Sequence, residues 1–266
     1  MQYCVLGILI FFFAACELST DWKLSPSEDQ KLVVEAILTN ENKIQEIQLS
    51  LSFPELNGTP PKVENAKVML VANGVIYRFK NDDSIDGLYK SESAFEILKD
   101  IDYELIIEWN DEIYKATSRL SNVAAMPNIS FDTLANSDKL VLSDFAPLYN
   151  PSQQSMYEID IDWSHSNRKE AQRAKLFFYT FSSVHLSALS RPEKEIVSFP
   201  KGSQVIVKKY GLNDDFAAYL RAKAIETEWN GTFFYSTAEN LPSNISNDAL
   251  GFYSTCAILV DTLIAE

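Results

Sequence analysis

The chain is 266 residues long and carries 37 acidic against 23 basic side chains, a formal charge of −14. No basic cluster relieves that balance, which argues against nucleic acid as a partner, because phosphate binding needs grouped Lys and Arg. Three cysteines build no disulfide framework, so the fold must rest on an apolar core, and the length is enough for two domains.

Residues 1–15 read as a signal peptide. Between Val5 and Ala15 the chain is uncharged and apolar. That run fits the roughly 7–15 residues of a signal core and falls short of the roughly 18 that span a bilayer. It closes on Phe13-Ala14-Ala15-Cys16, small side chains followed by a thiol. A lipoprotein signal peptidase needs that combination. Cys16 is therefore the expected lipid attachment site, taking diacylglycerol and palmitate-type chains as a membrane anchor. A buried apolar strand, or an ordinary secretory signal cut at Ala-x-Ala, is the other reading. Cys4 leaves with the leader, so Cys256 has no partner and behaves as a small buried hydrophobe. Residues 16–30 are polar, contain Pro26 and show no periodicity, as a tether does.

From Lys31 the pattern is that of strands. Leu32 to Leu38 is rich in β-branched residues; Ile47, Leu49, Leu51 and Phe53 then alternate with polar partners, the two-residue period of a half-buried strand. Pro54, Gly58, Pro60 and Pro61 form a loop. Val68 and Leu70 lead into Asn73-Gly74, a hairpin signal, and Val75, Tyr77 and Phe79 return. Leu88-Tyr89-Lys90 follows Asp86-Gly87. Tyr103, Leu105, Ile107 and Trp109 alternate, and Asn110-Asp111 turns the chain back through Ile113 to Ala116. Seven short strands over residues 31–125 predict an immunoglobulin-like β-sandwich.

Residues 126–266 predict a second β-rich domain with one helix. Strands are expected at Ile129 to Phe131, Tyr157 to Trp163, Leu176 to Phe181 and Val205 to Tyr210. Asn213 caps a helix near residues 213–228, with Asp214 and Asp215 in its first turn and Phe216, Ala217, Tyr219, Leu220 and Ala224 at helical spacing. Phe233-Phe234-Tyr235 and a final strand around Gly251 to Ser254 close the chain. The fold class is all-β: two β-sandwich domains, the second with an inserted helix.

The chemistry-bearing residues do not assemble into a familiar site. Asp160, Asp162 and His165 lie within six residues of one another, yet on an alternating strand the two Asp share the outward face with Glu158, where solvated charge is expected. The two histidines, His165 and His185, fall in different segments, leaving no zinc spacing. No nucleophile elbow and no phosphate cradle occurs. Asn81-Asp82-Asp83 and Asn213-Asp214-Asp215 lack the continuation of a calcium loop. The expectation is a non-enzymatic protein without cofactor or metal. Sixteen Phe, twelve Tyr and four Trp are a better lead for binding. Trp22, Trp163 and Trp229 stand near segment ends, where an exposed ring grips a glycan or a receptor loop; packing at the core's rim is the plainer reading.

Several short motifs, in order, carry a resemblance. They are Lys31-Leu32-Val33-Val34-Glu35-Ala36, Val63-Glu64-Asn65-Ala66-Lys67-Val68, Gly87-Leu88-Tyr89 and Asp102-Tyr103-Glu104-Leu105. Leu241-Pro242-Ser243-Asn244-Ile245 and Gly251-Phe252-Tyr253 complete the series. Behind the Cys16 leader, this resembles the uncharacterised Bacteroidota lipoproteins catalogued as domain of unknown function 4249, from residue 17 on. The resemblance implies an outer-membrane location and work beside a TonB-dependent receptor in nutrient uptake, and no catalytic residues. A surface adhesin or glycan-binding module is the alternative that the aromatic content supports.

Overall fold

Strands β1 (Leu32–Thr39) and β2 (Glu46–Leu51) form where the alternation places them, with Leu32, Val34, Ala36, Leu38, Ile47 and Leu49 all buried. They belong to a computed structural model that describes residues 30–53, 58–147, 149–166, 172–182, 196–227 and 241–266. The Cys16 anchor, Trp22, His185, Trp229 and Phe233 to Tyr235 lie outside the described residues. The other expected strands of the first half are present: β3 (Lys67–Ala72), β4 (Val75–Asn81), β5 (Leu88–Ser91), β6 (Asp102–Trp109) and β7 (Glu112–Arg119). Asn73 and Gly74, at φ 47° and 79°, make the tight turn between β3 and β4, and Asn110 and Asp111, at 49° and 62°, make the one between β6 and β7.

The second half contributes β8 (Phe131–Thr133), β9 (Leu140–Leu142), β10 (Ser155–Asp162), β11 (Arg173–Thr180) and β12 (Gln204–Gly211). Helix α1 (Asp214–Thr227) follows, then β13 (Leu250–Cys256) and β14 (Ile258–Ile264). Asn213 Oδ1 accepts the Phe216 N–H at 2.8 Å, the N-cap that the sequence predicts. Among the described residues the fold is all-β with one α-helix. Strands β9 and β14 were not expected; β14 escapes a periodicity reading because its residues are mostly exposed.

One strand crosses the expected division between residues 125 and 126. β13 pairs in parallel with β1, Val33 to Thr39 against Leu250 to Cys256, although they stand at opposite ends of the chain. The result is an eight-stranded sheet in the order β13-β1-β2-β5-β4-β3-β6-β7. Its two ends nearly meet. Thr255 N–H donates to Ser118 Oγ at 2.9 Å and Ser121 N–H to Thr255 O at 3.1 Å. Farther along, Ser246 exchanges bonds with the Lys115 backbone at 2.8 and 2.9 Å, and Asn247 Nδ2 donates to Ile113 O at 3.0 Å. The sandwich-like interior thus arises from one sheet curling on itself, and all eight strands feed a single core. Through β13, the second half of the chain supplies a strand to the first half's sheet.

A four-stranded sheet, β11-β10-β12-β14, stands beside it. One face packs Tyr157, Ile159, Ile161, Val205 and Val207 beneath the β8–β9 hairpin, with Leu140 and Phe199. Helix α1 joins the two sheets. Phe216, Tyr219 and Leu220 pack against Phe252 of β13 and against Met156, Tyr210, Cys256 and Ile258, with the Phe216 and Phe252 rings 5.1 Å apart. The connection after β7 is fastened too, since buried Lys209 donates Nζ to Ala125 O at 2.8 Å.

Candidate functional site

The acidic strand that the sequence singles out, β10, sits between β11 and β12. Alternation sends Tyr157, Ile159 and Ile161 into the core and turns Glu158, Asp160 and Asp162 to the opposite face. The antiparallel register then sets Asp160 opposite Lys175 and Asp162 opposite Arg173 on β11, with Lys208 of β12 beside Glu158. Charge alternates across the strands, as cross-strand pairing favours.

Glu158 is the hub of this face. Its side chain is 13% exposed, so it is not the solvated charge that alternation alone suggests. Oε1 receives Lys175 Nζ at 2.7 Å and lies 3.5 Å from Lys208 Nζ, while Oε2 accepts the Tyr210 hydroxyl at 2.9 Å. Burial pushes the carboxyl pKa up, and the Lys175, Tyr210 and Lys208 contacts outweigh it, so the net shift is downward. Burial, with Glu158 alongside, raises the Tyr210 phenol, which stays a donor. The bond to Glu158 raises Lys175. With three partners on its two oxygens, the Glu158 carboxylate ties β10 to both β11 and β12.

The three members of the predicted trio, Asp160, Asp162 and His165, go separate ways, and Asp160 Oδ1 lies 3.5 Å from Lys175 Nζ. Asp162 accepts the Ser164 N–H at 2.8 Å and Arg173 Nε at 2.8 Å, and the Ser164 contacts hold its pKa down. His165 Nε2 lies 3.1 Å from Lys201 O. Asp160, Asp162 and His165 are therefore not brought together, and among the described residues no group of three His, Cys, Asp or Glu is placed to hold a metal. Trp163 is partly buried against the core of the small sheet, at its rim and not displayed as a platform. Among the described residues, the exposed aromatics are Phe177 on β11, level with Glu158, and Tyr149, each 46% exposed.

Across the small sheet lies an open groove of about 330 Å³, walled by Phe145, Phe178, Leu176 and Val197 with Asp132 at its edge. The Phe145 and Phe178 rings meet edge to face at 5.6 Å. Sequence reasoning missed this groove because its walls come from segments far apart in the chain. It also missed the buried amine of Lys209, 5.5 Å from the Tyr157 ring, although a lysine sharing a strand face with Val205 and Val207 was the available signal.

The short motifs have structural work. Tyr89 Oη accepts the Ala66 N–H at 2.9 Å, and Tyr103 Oη accepts the Leu98 N–H at 2.8 Å. Tyr253 Oη donates to Tyr103 O at 3.3 Å across the interior of the large sheet. Gly87 and Gly251, at φ 71° and 88°, stand where a Cβ would collide with the carbonyls of Leu49 and Val34. A family model described as "Domain of unknown function (DUF4249)" matches residues 18–259, which takes in every one of these positions. The chain belongs to this family. No curated protein matches it. The DUF4249 match spans both sheets, so the family unit is the whole interlocked body and not one half of it. Among the described residues of this DUF4249 chain, no helix is long and apolar enough to cross a membrane.

Proposed function

We propose that this protein is a lipid-anchored lipoprotein of the outer membrane or cell surface. It acts without catalysis as an accessory to a TonB-dependent receptor in nutrient uptake. The observation that carries the reading is the leader: an apolar run from Val5 to Ala15 ending in Ala14-Ala15-Cys16, then a polar stretch, then a β body from Lys31. Acyl chains on Cys16 hold such a body at a membrane by about 0.8 kcal/mol per buried methylene, and more than one chain makes the hold stable. Membership of the DUF4249 family supports the reading without naming a ligand. The cross-strand contacts of Glu158 with Lys175, Lys208 and Tyr210 support a binding or structural role for the β10 face.

The test has two parts. Cys16→Ser moves the protein from the membrane fraction to the soluble one, and mass spectrometry of the mature amino terminus finds acyl groups on Cys16. Affinity purification from solubilised outer membrane then recovers a large β-barrel receptor. An unmodified terminus removes the anchor, and recovery of the protein alone removes the receptor role. A glycan-binding surface module is the second reading, favoured by the exposed ring of Phe177 beside Glu158 and Lys175. Glycan-array binding lost in Phe177→Ala separates it from the first.

A further inference from the structure

The small sheet ends at β14, which pairs with β12 on one side and, among the described residues, has no strand on the other. Ala265 N–H bonds Ser203 O, and Gly211 N–H bonds Ala257 O, both at 2.9 Å. By the period of an antiparallel ladder, odd-numbered residues of β14 turn their backbone groups toward β12. Ile258, Val260, Thr262 and Ile264 turn theirs outward. Two of these outward amides are occupied: Ile258 N–H donates to Asn40 Oδ1 at 2.8 Å, and Thr262 N–H to Asp261 Oδ1 at 2.9 Å. Val260 and Ile264 keep outward groups without a bond among the described residues, and their side chains are 49% and 55% exposed. An apolar edge of this length is a template for another strand.

We propose that β14 is a self-association edge, pairing antiparallel with β14 of a second copy about a two-fold axis through Thr262. The register follows from the side chains. Val260 and Ile264 stand two residues either side of Thr262, so the axis sets each against the other in the second copy. Asp261 then faces Leu263 of the second copy. An axis through Asp261 instead would set carboxylate against carboxylate, which opposes pairing. An axis through Val260 would call on the Ile258 N–H, which Asn40 already holds. The Thr262 register sets the two exposed apolar side chains against each other, uses the free backbone groups of Val260 and Ile264 and keeps the acids apart. The contact is isologous, the form that closes at two copies. Asp261 releases the Thr262 N–H to the Thr262 carbonyl across the axis. With a charge of −14 on each chain, association strengthens as salt screens the repulsion.

Thr262→Cys in the full chain, purified in detergent, puts two thiols at the axis at about 5.5 Å between Cα atoms, within disulfide reach. Oxidation gives a covalent dimer of this variant and none of the unsubstituted chain. The cross-link is lost when Val260→Lys and Ile264→Lys are added. Sedimentation velocity of the unsubstituted chain shows a dimer whose fraction rises with sodium chloride. Thr262→Pro removes only an outward N–H, leaves the β12 ladder intact and abolishes that dimer. The proposal is overturned by a Thr262→Cys chain that stays monomeric, or cross-links to a different protein. A dimer that survives Thr262→Pro or the paired lysines overturns it equally.

Discussion

Asn244 lays its side-chain amide along the backbone of Tyr253, donating Nδ2 to the carbonyl at 2.7 Å and accepting the N–H on Oδ1 at 3.0 Å. One side chain thereby supplies the donor and acceptor of a missing neighbour strand. This happens on the free flank of β13, where the large sheet must close against β7. Ser246 and Asn247 complete the seam on the β7 side. The closing motif of the sequence is thus a hydrogen-bonding adapter, and its Asn and Tyr act as a pair.

Asn244→Ala leaves both groups of Tyr253 without partners in a buried position. At about 1–3 kcal/mol for an unsatisfied buried polar group, the variant should lose about 2 kcal/mol of stability, read from urea unfolding. Gly251→Ala strains a left-handed backbone and presses on the Val34 carbonyl, and its loss should exceed about 2 kcal/mol. A loss below about 0.5 kcal/mol in either would contradict the seam.

Glu158 ties stability to acid. Its folded pKa lies below the ordinary 4.5, so the unfolded chain binds the proton more readily. The stabilisation is complete above pH 4.5 and drains as the pH falls through the folded value. Glu158→Gln should lower stability at pH 7 and flatten the acid limb of a stability–pH curve. An unchanged limb would show that Lys175, Lys208 and Tyr210 do not act through this carboxylate.

Lys209 works in the other direction. Burial lowers its pKa below 10.5, so between the folded and unfolded values the unfolded chain holds more protons. Stability therefore rises with pH across that window. Lys209→Met should abolish the rise while leaving the Ala125 carbonyl without a donor, and chemical denaturation at pH 8 and pH 10 measures both effects.

Cys256 is fully enclosed and its thiol is pushed up to about 12 by burial. Alkylation at neutral pH should proceed at the rate of global unfolding, so urea below the transition leaves it unlabelled when each cysteine is followed by mass spectrometry. Rapid labelling in native buffer would show that the packing of α1 on β13 opens readily.

Local chemistry made most strands legible. β1 to β7 follow the alternation of side chains such as Tyr103, Leu105 and Ile107, and the turns follow Asn73-Gly74 and Asn110-Asp111, whose positive φ those residues tolerate. Asn213 marked the helix because its side-chain oxygen caps the first turn, accepting the Phe216 N–H. Partner choice was not legible. Nothing in Leu32 to Thr39 says that the adjacent strand lies at Leu250 to Cys256, because a parallel pairing leaves no turn to read. Glu158 looked like a surface charge since alternation gives a direction and not the neighbours that cover it. Its partners Lys175, Lys208 and Tyr210 lie on two other strands, and only register brings them in.

The parallel union of β1 with β13 also sets the order of events at birth. A ribosome releases Leu32 to Thr39 long before Leu250 to Cys256 exist, so while β2 soon takes one flank of the earliest strand, its other flank waits for a late partner. Until the late strand arrives, that flank is open to wrong pairing, as long-range strand contacts are while a chain folds.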